Sequence, residues 1–150
     1  MSQWTHIAAC FRFDGLRLSK DDAPDWDAVI GKAVLFESTT ELWEEYDADP
    51  SRFMPCGSEG SLERVEWVNP DKSCAAAYAV AVFGDLRDFG TDEFEKRVIP
   101  WFERICLDPE VYVRQAVLSA EVEWCGRHIL SYDREAEDVR HTCEKYRKGW

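Results

Sequence analysis

Apolar and polar residues alternate along several stretches of the chain. Residues 5–13 place their largely apolar odd-numbered positions on one side and polar residues on the other. A period of two is typical of a half-buried strand, and residues 62–68 and 111–124 share it. Residues 74–83 are apolar on both sides. We therefore expect this strand to be covered on both faces, or to meet a partner, a second copy being one option, on one of them.

Helical periodicity separates these strands. Apolar residues recur every three to four positions in residues 26–34, which predicts an amphipathic helix. Thr39 or Thr40 suits the N-cap of a second short helix. Thr91 suits the N-cap of a third, and Pro100 inside that segment predicts a kink or a break.

The resulting order, β-α-(α)-β-β-α-β, predicts an α+β domain of the ferredoxin-like, split βαβ class, with an antiparallel sheet and helices on one face. We assign residues 1–126 to this domain. Residues 127–150 are expected to form a C-terminal extension packed on it, with a short strand at 127–132 and a short helix. In this arrangement we expect the first and third strands to be parallel neighbours, so that their C-terminal ends lie together.

Three loops are expected to meet at that end of the sheet, where functional residues often gather on loops held by a rigid scaffold. The competing interpretation is ordinary turn chemistry, in which Arg–Asp pairs only fix the loops. The predicted binding residues are Asp14 and Arg17 from the first loop, Gly57, Ser58, Glu59, Gly60 and Ser61 from the second, and Asp85, Arg87 and Asp88 from the third.

The charge of the chain is unevenly distributed. The 150 residues carry a net charge of −12, and residues 21–66 alone hold thirteen acids against three bases. Direct binding to nucleic acid is disfavoured, because it depends on Lys and Arg at phosphates. The acidic stretch is either a self-repelling, solubilising surface or a face that meets a basic partner.

The location of the protein is predicted to be the cytoplasm. The N-terminus has no signal-peptide pattern, and no stretch approaches the roughly 18–20 apolar residues of a membrane span. We therefore expect no membrane contact and a reducing compartment in which most of the six cysteines are free thiols.

Motifs that carry chemistry are scarce. The chain has neither a nucleophile elbow nor a phosphate-binding glycine loop, and its three histidines lack partners at motif spacing. The spacing of Cys125, His128, His141 and Cys143 is poor for zinc, so we expect no metal, no cofactor and no catalytic residue. Tryptophans at mostly core-facing positions indicate a core rather than a base-stacking platform; these are Trp26, Trp43, Trp67, Trp101 and Trp124.

Three runs of residues resemble those of small phage and prophage proteins of unassigned chemistry. They are Trp4-Thr5-His6, the run Pro-Cys-Gly-Ser-Glu-Gly-Ser-Leu at 55–62, and the run Phe-Gly-Asp-Leu-Arg-Asp at 83–88. The resemblance implies a bacteriophage accessory protein made in the bacterial cytoplasm. Small acidic phage proteins are often inhibitors of host defence, which is an analogy at the level of the class.

Three functions follow as hypotheses. The first is a phage-encoded, non-enzymatic binding protein that inhibits a host defence or nucleic-acid-handling factor in the manner of an anti-CRISPR protein, with a basic protein or complex as partner. The second is a binder of a small anionic ligand, such as a nucleotide sponge, in which Arg17, Arg87 and the Gly57–Ser61 loop hold the anion. The third is an enzyme that acts at the same loops.

Overall fold

The computed structural model describes residues 2–14, 24–34, 37–70, 76–136 and 138–146. The prediction of an α+β fold is confirmed: one open sheet of six antiparallel strands carries helices on one face. The strands are β1 (Trp4–Asp14), β2 (Gly60–Val68), β3 (Ala76–Arg87), β4 (Val113–Val122), β5 (Gly126–Asp133) and β6 (Arg140–Lys145), in the order β2-β3-β1-β4-β5-β6.

The helices are short and lie in two connections. Between β1 and β2 are α1 (Trp26–Ile30), α2 (Thr40–Ala48) and a 3₁₀ turn (Pro50–Arg52). Between β3 and β4, one helical segment comprises α3 (Thr91–Glu93), a π-helical turn (Phe94–Val98) and α4 (Ile99–Leu107). The described helices include none that is long and apolar enough to cross a membrane.

Local chemistry explains where the helices begin and end. The Thr39 side chain accepts a hydrogen bond from the Leu42 N–H, as predicted for an N-cap. The helix expected over 26–34 stops at Ile30, because Gly31 has a φ of 113° and the chain then forms a β-bridge from Lys32 to Phe53. A Cβ on Gly31 would lie 2.9 Å from the Met54 nitrogen.

The irregularity predicted at Pro100 takes the form of a change in helix type. A π-helical turn precedes the proline, and α4 starts at Ile99, so that Pro100 occupies its first turn. A proline is tolerated there because the first N–H groups of a helix have no intrahelical acceptor. The segment therefore continues through the proline as one apolar helix.

The strand arrangement differs from the ferredoxin-like prediction. The sheet has six strands rather than the four of a ferredoxin-like sheet, because β5 and β6 extend it beyond β4. The expectation that β1 and β3 are parallel is wrong: β1 pairs antiparallel with both β3 and β4. Both long connections do return to a strand two positions away, since β3 lies between β1 and β2, and β1 lies between β3 and β4.

The C-terminal extension continues the sheet. The strand predicted at 127–132 is present as β5, which pairs with β4 along its whole length. The short helix predicted after it is wrong, because residues 140–145 form β6 at the edge of the sheet. Residues of β6 are all exposed, so this edge has no cover among the described residues.

The two faces of the sheet are unlike. We call the helix-bearing side the covered face. It buries one main core, whose largest fully buried members include Phe11, Phe13, Trp101, Phe102 and Leu118. A smaller cluster of Val34, Tyr46, Phe53 and Cys56 holds α2 against the 3₁₀ turn.

We call the other side the open face. Alternate residues of the same strands point there, and they are half-buried or exposed, so no described element covers them. Its large apolar side chains are Val65, Trp67, Phe83 and Val117. The core assignment of tryptophans therefore holds for Trp101, which is fully buried, and is wrong for Trp67 and Trp124, which are 46% and 61% exposed.

Candidate functional site

The three runs that resemble phage proteins meet at one end of the sheet. The start of β2 pairs with the end of β3, which sets Gly60 opposite Leu86 and Ser61 opposite Asp85. The start of β1 pairs with the same end of β3, because Trp4 lies opposite Arg87. We call this region, formed by residues 2–6, 57–61 and 85–88 together with Glu123, the strand-end cluster.

Asp14 does not belong to this cluster. Because β1 runs antiparallel to β3, its last residue lies opposite Ala76 at the far end of the sheet. The Asp14 carboxylate is buried and forms ion pairs with Arg114, at 2.7 Å, and with Arg134. Asp14 thus anchors the end of β1, and the prediction that it joins the other two loops is wrong. Arg17, the other residue predicted from this loop, lies outside the described residues.

Glycines in the cluster allow two backbones to approach closely. Gly60 has a φ of 81°, and a Cβ there would lie 2.0 Å from the Asp85 carbonyl oxygen. A Cβ on Gly57 would lie 2.4 Å from the Arg87 carbonyl oxygen. These contacts account for both glycines without a ligand.

The polar groups of the loop are engaged within the protein. The Ser58 N–H donates to the Arg87 carbonyl, and the Arg87 N–H donates to the Glu59 carbonyl. The Ser58 hydroxyl lies 2.6 Å from an Asp88 carboxylate oxygen. These hydrogen bonds within the protein use donors that an anion-binding nest would need.

Arg87 is also engaged. Its guanidinium lies 2.7 Å from Glu59 and donates to the Ser2 hydroxyl at 2.7 Å. The hydrogen bond from Arg87 to Glu59 raises the pKa of the arginine further. A ligand anion would have to compete with the Glu59 carboxylate, which already binds this guanidinium. The geometry therefore does not favour anion binding at Arg87.

His6 is the residue of this cluster that sequence reasoning missed. On the open face, its Nδ1 lies 2.7 Å from Asp85 and its Nε2 lies 3.1 Å from Glu123. The hydrogen bond with Asp85 is the main cause of a raised pKa for His6. Both ring nitrogens are engaged by carboxylates, which favour the charged form of the imidazole and leave neither nitrogen free to act as a general base.

A signal for this arrangement does exist in the sequence, but only after the register is known. Alternation in residues 5–13 places His6 on the side opposite the core, and Asp85 follows the apolar run of the third strand. The pair becomes visible once β1 and β3 are aligned antiparallel, with His6 opposite Asp85. If β1 and β3 are aligned parallel instead, His6 and Asp85 do not lie opposite each other.

The four tail residues weighed as zinc ligands do not form a metal site. In the described residues no group of three or more His, Cys, Asp or Glu side chains could hold a metal ion. His128 and His141 instead share a hydrogen bond of 2.9 Å between ring nitrogens, and both rings contact Phe94. Burial is the main cause of a lowered pKa for His128.

The described cysteines are free thiols, and two of them are buried. Cys10, Cys56, Cys106, Cys125 and Cys143 are free. Burial raises the pKa of Cys56 to about 11 and that of Cys106 to about 12, so both thiols stay protonated at neutral pH. These two side chains act as small apolar residues of the core.

Four acidic residues of the acidic stretch are exposed on α2. We call this surface the acidic α2 face, and its residues are Glu41, Glu44, Glu45 and Asp47. Asp47 pairs with Arg97 at 2.9 Å. The three glutamates form no ion pair with any residue that the structure describes.

The scaffold of α2 fixes this surface. Tyr46 is fully buried on the opposite side of the helix, and its hydroxyl accepts a hydrogen bond from the Cys56 N–H. The Arg97 guanidinium lies 4.3 Å from the centre of the Tyr46 ring. Because α2 is anchored in this way, a partner that binds its glutamates does not have to order the helix, and this entropic cost of binding is avoided.

Comparisons with protein-family models, with curated proteins and with solved structures find no significant match to this chain.

Proposed function

We propose that the chain is a non-enzymatic binding protein whose acidic α2 face meets a basic partner protein. The observation that carries this proposal is the set of three exposed glutamates on one anchored helix, Glu41, Glu44 and Glu45, none of which forms an ion pair with a described cation. Such a surface attracts a positively charged partner and speeds association at low salt.

The partner class follows from the charge and from the resemblance to phage proteins. A host factor that handles nucleic acid carries a basic surface for phosphates, and an acidic protein can occupy that surface. We therefore propose a phage-encoded inhibitor, made in the bacterial cytoplasm, that competes with nucleic acid for a defence or nucleic-acid-handling protein. Its inhibition is expected to fall as salt rises, because the contact is largely electrostatic.

The test uses two variants with equal loss of charge. In the first, Glu41, Glu44 and Glu45 are replaced by Gln. In the control, Glu110→Gln, Glu135→Gln and Asp138→Asn remove the same charge from exposed positions outside α2. Each protein is used to capture partners from bacterial lysate, and the captured protein is then tested for nucleic-acid binding by gel shift.

The proposal requires three results together. The unchanged chain captures a basic protein at low salt and blocks its binding to nucleic acid. The α2 variant loses capture by about tenfold or more, as charge contacts at an interface commonly do, and the control variant keeps it. If the control loses capture equally, only net charge matters and the acidic α2 face is not the binding surface.

A further inference from the structure

The open face carries four large apolar side chains that are about half-exposed. Their exposed fractions lie between 44% and 51%, and the residues are Val65, Trp67, Phe83 and Val117. They belong to β2, β3 and β4, and only β1 separates the last two of these strands. Small residues of β1 and β3, including Ala8, Ala79 and Ala81, lie between them. A contiguous apolar patch of this kind marks an interaction surface.

The charge on the open face argues against a basic partner there. By strand register and contact, its described ionisable residues are Glu59, Glu63, Asp85, Glu121, Glu123, Asp133 and Glu144 against Arg12, Arg87, Arg127, Arg140 and His6. The face therefore carries only a small excess of acids in a chain whose net charge is −12. A second copy of the chain meets little repulsion on this surface, whereas it would be repelled by the acidic α2 face.

The two ends of this face differ in net charge along the strands. Near the start of β1, His6 and the bases Arg87 and Arg127 lie among a larger number of acids, which are Asp85, Glu121, Glu123 and Glu144. Toward the other end, Arg12 and Arg140 outnumber Asp133, and Arg12 forms no ion pair with any described residue. Two copies packed with their strands reversed would bring each arginine end over the acidic end of the other copy.

The size of the face fits a stable interface. Six strands about 4.8 Å apart and about 25 Å long span roughly 24 by 25 Å. That footprint is comparable to the roughly 800 Å² that each partner buries in an interface of standard size. The apolar centre and the charged ends match the usual plan of such interfaces, in which a dry core is surrounded by a polar rim.

We infer that two copies of the chain pack open face against open face, related by a two-fold axis that reverses the strand direction. This homodimer does not rest on the proposed function, since it uses the opposite side of the molecule. The helices all lie on the covered face, so the dimer carries its two acidic α2 faces on its outer sides. A partner with two basic sites would bind both, with a gain from avidity.

The experiment is sedimentation equilibrium between about 1 and 100 µM protein, the range in which a micromolar dimer dissociates. Phe83→Asp and Val117→Lys place charges in the centre of the open face. Leu107→Asp is the matched control, because Leu107 is similarly exposed at 46% but lies on α4. Circular dichroism checks that each variant is folded.

The inference expects a dimer for the unchanged chain and for Leu107→Asp, and weakening by about 30-fold or more for each open-face variant, the size of a hot-spot loss. A second arm tests orientation: Arg12→Glu should weaken the dimer at low salt. A chain that is monomeric throughout the range overturns the inference, and so does a dimer that tolerates both central charges.

Discussion

The two faces of the sheet are built from the same strands, yet one is buried beneath helices and the other is half-buried or exposed. Leu118 is fully buried on the covered face, whereas its neighbour Val117 is 49% exposed on the open face. On the covered face an apolar side chain contributes to folding by removing its surface from water. On the open face the same kind of side chain contributes little to the fold of one chain, and its apolar surface remains available for association.

The histidines follow the same division. His128, on the covered face, has a lowered pKa because of its burial, whereas His6, on the open face, has a raised pKa because of Asp85 and Glu123. Burial disfavours the charged form, and neighbouring carboxylates favour it. The covered face therefore favours the neutral imidazole of His128, and the open face favours the charged imidazole of His6.

The largest effect that can test this comparison is the loss of one phenylalanine from each face. Phe11 is fully buried against Trp101 and Phe102, so Phe11→Ala should lower the free energy of unfolding by about 3–5 kcal/mol. Phe83→Ala should lower it by less than about 1 kcal/mol at low protein concentration, because the ring is already half-exposed. Urea unfolding at about 1 µM measures both. Equal losses would contradict the division into two faces.

A smaller effect is expected from one carboxylate at each end of the sheet. Asp14→Asn leaves Arg114 and Arg134 facing an amide in place of a buried carboxylate. This change should lower the free energy of unfolding by about 3 kcal/mol. Asp85→Asn breaks an exposed contact with His6 and should cost less than about 1 kcal/mol. The comparison is again made by urea unfolding. If Asp85→Asn were the more damaging variant, the strand-end cluster would carry more of the stability than its exposure implies.

A modest pH effect is expected from His128. Its pKa is lower in the folded chain than the ordinary value of 6.5, so its contribution to stability is present above that pH and is lost as the pH falls through the folded value. As the pH falls below 6.5, the chain should therefore lose stability more steeply than His128→Leu does. The difference in unfolding free energy between the two proteins, measured as a function of pH, isolates the effect. Parallel curves would contradict a lowered pKa for His128 in the folded chain.

The smallest effect has the opposite sign and belongs to His6. Its pKa is raised in the folded chain, so its stabilisation is complete below 6.5 and is lost as the pH rises through the folded value. We expect His6→Gln to be less stable than the parent by about 0.5 kcal/mol at acidic pH, the scale of an exposed ion pair, and equal to it at about pH 9. A penalty that persists at high pH would indicate that packing, rather than charge, holds the ring.

Much of the fold was predictable from the sequence, and the failures have physical causes. Period-two patterns located β1, β2 and β4 within a few residues, because burial on one face fixes alternation. Pairing direction was not predictable, since a strand alternates in the same way whether its neighbour is parallel or antiparallel. That single error placed Asp14 at the wrong end and hid the contact of His6 with Asp85.

The candidate site was predictable only in part for a related reason. The loops at 57–61 and 85–88 do meet, because they flank a pair of strands joined by a short connection. Glu123 could not be added, because its contact with His6 depends on the β1–β4 register. Trp67 was misjudged because periodicity reports which residues share a face, and does not report whether anything covers that face. Trp124 was misjudged because β4 ends at Val122, so that Trp124 lies in the following turn with a φ of 64°.

The central position of β1 has a consequence for the synthesis of the chain. This strand leaves the ribosome first, yet both of its neighbours, β3 and β4, belong to the second half of the sequence and begin at Ala76 and Val113. Until they emerge, an apolar strand has no native partner, and such segments are prone to wrong pairing. The β2–β3 hairpin and the β4–β5–β6 meander form from local contacts. We therefore expect these two flanks of the sheet to form as units before β1 pairs between them.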